Sequence, residues 1–187
     1  STTASATRAA DVSSSTALTR AADVSTSAAV TRAADVASIN TLSPWYNATE
    51  GTLYAKYVAS NTAQNNGAVA LSDGTNNNRM VIRATTSAAQ TIFLGIVSNN
   101  NEWTGIVTSA LVNTVTNSAF TYKLNDVVWV RNGGTVGIDA PPANIPAVTQ
   151  LKLGADGNGA LQLNGYLQKV IYYPKRLTNS ELQALTA

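Results

Sequence analysis

The chain contains no cysteine and no histidine. Without cysteine nothing is disulfide-stapled, and the redox compartment cannot be read. Without both, Ser–His and Cys–His nucleophilic pairs and the usual zinc sites are excluded. Charge is scarce as well: Asp, Glu, Lys and Arg make up 12% of 187 residues, with a net charge of +2. The Lys and Arg residues form no cluster, so a nucleic-acid partner is not expected. No apolar run approaches the length of a membrane span, so no membrane insertion is expected, and no signal-peptide pattern opens the sequence. The first residue is Ser1 rather than Met, which fits either processing or a fragment of something longer. Glu50, Glu102 and Glu181 stand isolated, whereas glycoside hydrolysis needs two carboxylates facing each other across a cleft. Catalysis is therefore not expected, and no cofactor is required.

What is present begins with a repeat. TRAADV occurs at residues 7–12, 19–24 and 31–36, a period of twelve. Within it an apolar residue recurs every six positions, through Val12, Val24 and Val36. On an α-helix a step of six turns by roughly 240°, so no apolar stripe forms and no coiled coil results. An extended chain keeps these positions on one side. One apolar residue in six cannot fold a single chain, so residues 1–43 need a partner surface or remain a linker. In the first reading they form an oligomerisation or attachment arm. Arg8, Asp11, Arg20, Asp23, Arg32 and Asp35 then place opposite charges three apart in each unit, together with the three valines. The arm implies a homo-oligomer, a trimer favoured, or docking on neighbouring proteins.

From residue 44 the pattern changes. Short segments with a period of two or with buried-strand character recur between Gly, Asn, Asp and Pro turn signals, and no helical stretch of ten residues separates them. Residues 52–59 put Leu53, Ala55 and Tyr57 on one face. Residues 91–97 form a near-continuous apolar run. Asn125-Asp126 joins two strands as a hairpin. Pro141, Pro142 and Pro146 forbid central strands. In the last strand, Leu167, Lys169, Ile171 and Tyr173 alternate with Gln168, Val170 and Tyr172 until Pro174 ends it. Thr178 to Glu181 then reads as a capping box opening a short helix with Leu182 and Leu185 on its apolar edge. The fold class is all-β: an antiparallel sandwich over residues 44–187, with a short C-terminal helix, behind an extended repeat arm.

The C-terminal YYPKRLTNSELQALTA resembles the last strand and helix of concanavalin A-like, laminin-G-like jelly rolls, in the version found in bacteriophage tail fibre and virion proteins. YKLNDVVWVRNGGTVGID, LKLGADGNGALQLNGYLQKVIYYP, WYNATEGTLYAKYVA and the RAADV before the domain resemble further pieces of the same modules. The resemblance implies a virion structural protein, on a phage particle surface and extracellular, with a lectin-like module that contacts host surface glycans. The alternative is a non-phage bacterial secreted or surface carbohydrate-binding module.

Sugar binding needs exposed aromatic faces beside amides or carboxylates. Trp45, Tyr46, Trp103 and Asn101 are the candidates, Trp103 because it follows an Asn-rich turn; burial in the sandwich is the competing reading for each aromatic, and Trp129 within VVWVR fits the core better. Laminin-G-like domains often bind calcium through loop oxygens, which makes Asp73 and Asp156 candidate ligands for Ca2+. Asp-Gly is also ordinary turn chemistry.

Overall fold

A computed structural model describes residues 37–60, 65–85, 90–108, 112–139 and 143–187. Every TRAADV residue named above, from Arg8 to Val36, lies outside them. The described residues form two antiparallel sheets. One has six strands in the order β1 (Ala37–Ile39), β10 (Gln150–Leu153), β3 (Asn66–Ser72), β4 (Arg79–Thr85), β5 (Gln90–Val97) and β6 (Asn100–Val107). The other has five: β11 (Gly165–Tyr173), β2 (Glu50–Ala59), β7 (Val115–Lys123), β8 (Asp126–Arg131) and β9 (Gly137–Ile138). A single helix, α1 (Asn179–Thr186), is described.

The core lies between the sheets. Leu53, Ala55 and Tyr57 of β2, the set the alternation predicts, pack with Phe120, Tyr122 and Trp129 against Val69, Leu71, Ile82, Phe93 and Trp103. Ring pairs bridge the layers: Trp103 to Phe120 at 5.4 Å and Phe93 to Trp129 at 6.4 Å. Trp103 is 2% exposed and sits over Gly95, its cross-strand partner, where an added Cβ would strike the indole. Burial of this many aliphatic and aromatic side chains is the main stabilising term.

The outer face of the five-stranded sheet is covered by α1. Leu182 is buried among Tyr54, Ala119, Val128 and Val130, with Leu185 and Ile171 beside it. The predicted capping box is present: the Glu181 amide donates to the Thr178 hydroxyl, and the Thr178 amide donates to the Glu181 carboxylate at 2.7 Å.

Three expectations need correction. The boundary at residue 44 falls inside the sandwich: β1 pairs with β10 and Leu42 is buried in the core. The hairpin loop is Leu124-Asn125, one residue earlier than expected, because Lys123 pairs with Asp126 and Asn125 takes the positive φ of 60° that Asn tolerates. In β11 the alternation breaks at a bulge: the register shifts between Leu167 and Lys169, leaving Gln168 unpaired. An extra residue flips the phase. Leu167, Val170 and Tyr172 therefore face the core, while Ile171 turns outward to the helix.

Candidate functional site

On the outer side of the six-stranded sheet the register brings together side chains from four strands. Arg79, Val81 and Arg83 alternate on β4, so all three point away from the core that holds Met80 and Ile82. Across the ladder Arg79 lies between Ser72 and Ile96, and Ile96 opposite Asn101. Val81 lies between Ala70 and Leu94, and Leu94 opposite Thr104. Arg83 pairs with Ile92, and Ile92 with Ile106, which is 51% exposed. On this side Ala70, Val81 and Leu94 are buried, and the accessible part runs from Ile92 and Ile96 of β5 to a polar edge on β6, where the Asn101 amide donates to the Thr104 hydroxyl at 2.8 Å.

The arginines share one counter-ion. Asp156, 1% exposed, lies 3.4 Å from Arg79 Nε and 3.4 Å from Arg83 Nη1. It also accepts the Gly157 amide at 2.6 Å, while Ser72 donates to the Gly157 carbonyl at 2.7 Å. These bonds fasten the 154–160 loop beside β4. Two guanidinium groups face a single carboxylate, and Arg79 Nη1 is buried with no hydrogen-bond partner. Burial, more than the neighbouring Arg83, lowers the Arg79 pKa, while Asp156 opposes that shift. The pair carries one net positive charge on side chains that are 11% and 16% exposed.

The residues expected to bind sugar are scattered. Asn101 lies on this face and is exposed. Trp103 points the other way, into the core, because it stands opposite Gly95 and the bulge in β6 places it on the opposite side from Asn101. It offers no open face for stacking. Trp45 and Tyr46 are half-buried in an aromatic corner with Tyr172, at ring distances of 5.3 and 5.6 Å. Burial pushes the Tyr46 phenol up to about 12 and Tyr122 higher still. The Tyr122 and Tyr172 hydroxyls lie 2.9 Å apart and both donate to the Asn47 carbonyl. This corner closes one end of the core. Trp45 also borders an apolar groove of about 320 Å³ with Ile39, Leu151 and Leu153.

Both calcium candidates are engaged within the protein. Asp73 Oδ1 accepts from the Thr75 amide and hydroxyl, and Oδ2 from Asn78. Desolvation pulls its pKa upward, but these bonds outweigh it and hold the carboxyl below the ordinary range. Asp156 faces the two arginines and accepts from its own loop. Among the described residues no group of three acidic side chains stands close enough to hold a metal ion. No helix among them is long and apolar enough to cross a membrane.

Arg79 and Arg83 were missed as site residues in the sequence, although RMVIRAT carries a usable signal: arginines four apart on a strand share a face. Nothing local joins them to Asp156, which lies more than seventy residues away.

Comparison with solved structures places this geometry in context. The CBM40 carbohydrate-binding module of the Ruminococcus gnavus IT-sialidase, solved with α2,6-sialyllactose, superposes with a TM-score of 0.62 at 16% identity, over 75% of this chain and 85% of that one. The fold is a lectin-like jelly roll. The jelly roll is also similar to a heptameric SAP-like pentraxin from Limulus polyphemus, with a TM-score of 0.56 at 10% identity over 81% of each chain. In the NanB sialidase of Streptococcus pneumoniae it matches 26% of that chain, with a TM-score of 0.60 at 18% identity. No protein-family model and no curated protein matches the chain.

Proposed function

We propose that the jelly roll is a non-catalytic carbohydrate-binding module and that the accessible part of the six-stranded sheet's outer side, over β5 and β6, is its ligand face. The observation that carries this reading is the register of that face: Arg79 and Arg83 with one shared carboxylate, Ile92 and Ile96 beside them, and Asn101 with Thr104 at the edge. Guanidinium groups bind carboxylates through charge-assisted hydrogen bonds. Aliphatic side chains pack on the C–H faces of a sugar ring, and amides and hydroxyls read its hydroxyl groups. The likeness to a module solved with sialyllactose supports glycans bearing a carboxylate as the class to test first.

Placement on a bacteriophage particle rests on the sequence resemblance. The structural neighbours support the alternative better, a non-phage bacterial secreted or surface carbohydrate-binding module. An assembly through residues 1–36, and an extracellular or virion location, belong to the same proposal; native mass of the full chain tests the assembly.

A glycan array with the full chain tests the binding reading. Asn101→Ala and Thr104→Ala are each expected to weaken binding of an array hit roughly tenfold, the worth of about one hydrogen bond, at unchanged melting temperature. An array without hits, or variants that bind as the parent does, would refute it.

A further inference from the structure

A second recess lies where the sheets part, between edge strand β6 and the β8–β9 pair. It measures about 370 Å³ and is lined by Ile106, Thr108, Trp129, Arg131, Thr135 and Gly137, among others. That volume falls within the range of small-ligand sites, roughly 300–1,000 Å³. Gly137 stands opposite Trp129 in the ladder, and an added Cβ would strike the indole nitrogen, so the glycine is what lets the ring edge reach the recess. Thr108 and Thr135 are exposed at the rim.

The recess holds a cation without an acid. Arg131 Nη1 donates to the Thr91 hydroxyl at 3.4 Å and the Val107 carbonyl at 3.2 Å, and Nη2 donates to the Thr108 carbonyl at 2.6 Å. All three acceptors are neutral, and no carboxylate among the described residues pairs with it. An arginine has five N–H donors. Nε–H and one Nη2 hydrogen have no acceptor among the described residues. Arg176 shows what those two nitrogens do when an acid is present: its Nε and Nη2 donate to the two oxygens of Asp126 at 2.9 and 2.8 Å. Burial works against the charge on Arg131, which an incoming anion would relieve.

We infer that this recess binds one carboxylate-bearing monosaccharide, its acid group on the Arg131 fork and its ring against the edge of Trp129. The carboxylate follows from Arg131 alone; that its carrier is a sugar rests on the glycan-binding reading. Ile106 belongs to both the recess and the sheet face, so an oligosaccharide lying across the face can continue over β6 into the recess.

The test is a nuclear magnetic resonance titration of the full chain with N-acetylneuraminate, D-glucuronate and, as neutral control, D-glucose. The Trp129 indole N–H reports on the recess and the Asn101 side-chain amide on the sheet face. Either acid is expected to move the Trp129 signal saturably while glucose does not. Thr135→Trp, a substitution at an exposed position that fills the recess without touching the Arg131 bonds, is expected to abolish that movement. A Trp129 signal that stays still with both acids, moves equally with glucose, or still responds in Thr135→Trp overturns the inference. Movement at Asn101 alone would leave the ligand face standing and remove the recess; movement at Trp129 alone would do the reverse.

Discussion

Trp103→Ala separates a core role from a sugar-stacking role. The indole is 2% exposed, touches Phe120 across the sheets at 5.4 Å and rests on Gly95. A tryptophan buries about 150–250 Å², which at about 25 cal/mol per Å² corresponds to roughly 4–6 kcal/mol of transfer free energy. Measured losses for Trp→Ala in cores run about 3–5 kcal/mol, because the site collapses only in part. Collapse is limited here: Gly95 has no side chain to move inward, and Phe120 is held by its own packing. For a domain of this size each kcal/mol moves the melting temperature by about 2–4 °C, so a fall of roughly 6–20 °C is expected. Urea unfolding followed by tryptophan fluorescence from the two remaining indoles gives the free energy directly. A loss under about 1 kcal/mol, with glycan binding abolished, would show that the ring does its work outside the core and would refute the packing argument.

Asp156→Asn leaves two buried guanidinium groups without a counter-charge and is expected to cost about 3–5 kcal/mol in the same urea assay, whereas Asp126→Asn at the more exposed Arg176 pair should cost at most about 1 kcal/mol. Thr178→Ala removes the acceptor that opens α1 and should cost about 1 kcal/mol, read as a lowered urea midpoint at unchanged slope. At alkaline pH the tyrosine corner becomes a liability. Tyr46 titrates near 10 unfolded and at about 12 folded, so its contribution is complete below pH 10 and disappears as the pH rises through 12. Stability measured across that interval should fall, with Tyr46→Phe flattening the slope; a pH-independent stability there would contradict the burial argument.

Much of this architecture is legible in local chemistry. The capping box, the β2 alternation and the hydrophobic run of β5 each depend on residues a few positions apart, and each appears in the structure as read. The last strand was legible in extent but not in phase, since a bulge at Gln168 leaves no mark in a pattern of alternating side chains. The aromatics were the hardest. An Asn-rich turn before Trp103 suggests a loop, yet the pairing of Trp103 with Gly95 turns the ring inward. The candidate site shows the same division: Asn101 was recognisable as a polar residue near a turn, while the arginines gained meaning only beside Asp156 and the isoleucines of β5.

The sequence by itself determined which stretches extend and, to within a residue or so, where most of them stop. Only the tertiary structure decided which face each strand shows to solvent, which rings are spent on packing, and which charges meet. The physical reason is range. Alternation and capping act between neighbours in the chain, but sheet register, sheet stacking and the burial of Asp156 depend on contacts between segments far apart, whose free energies no local pattern encodes.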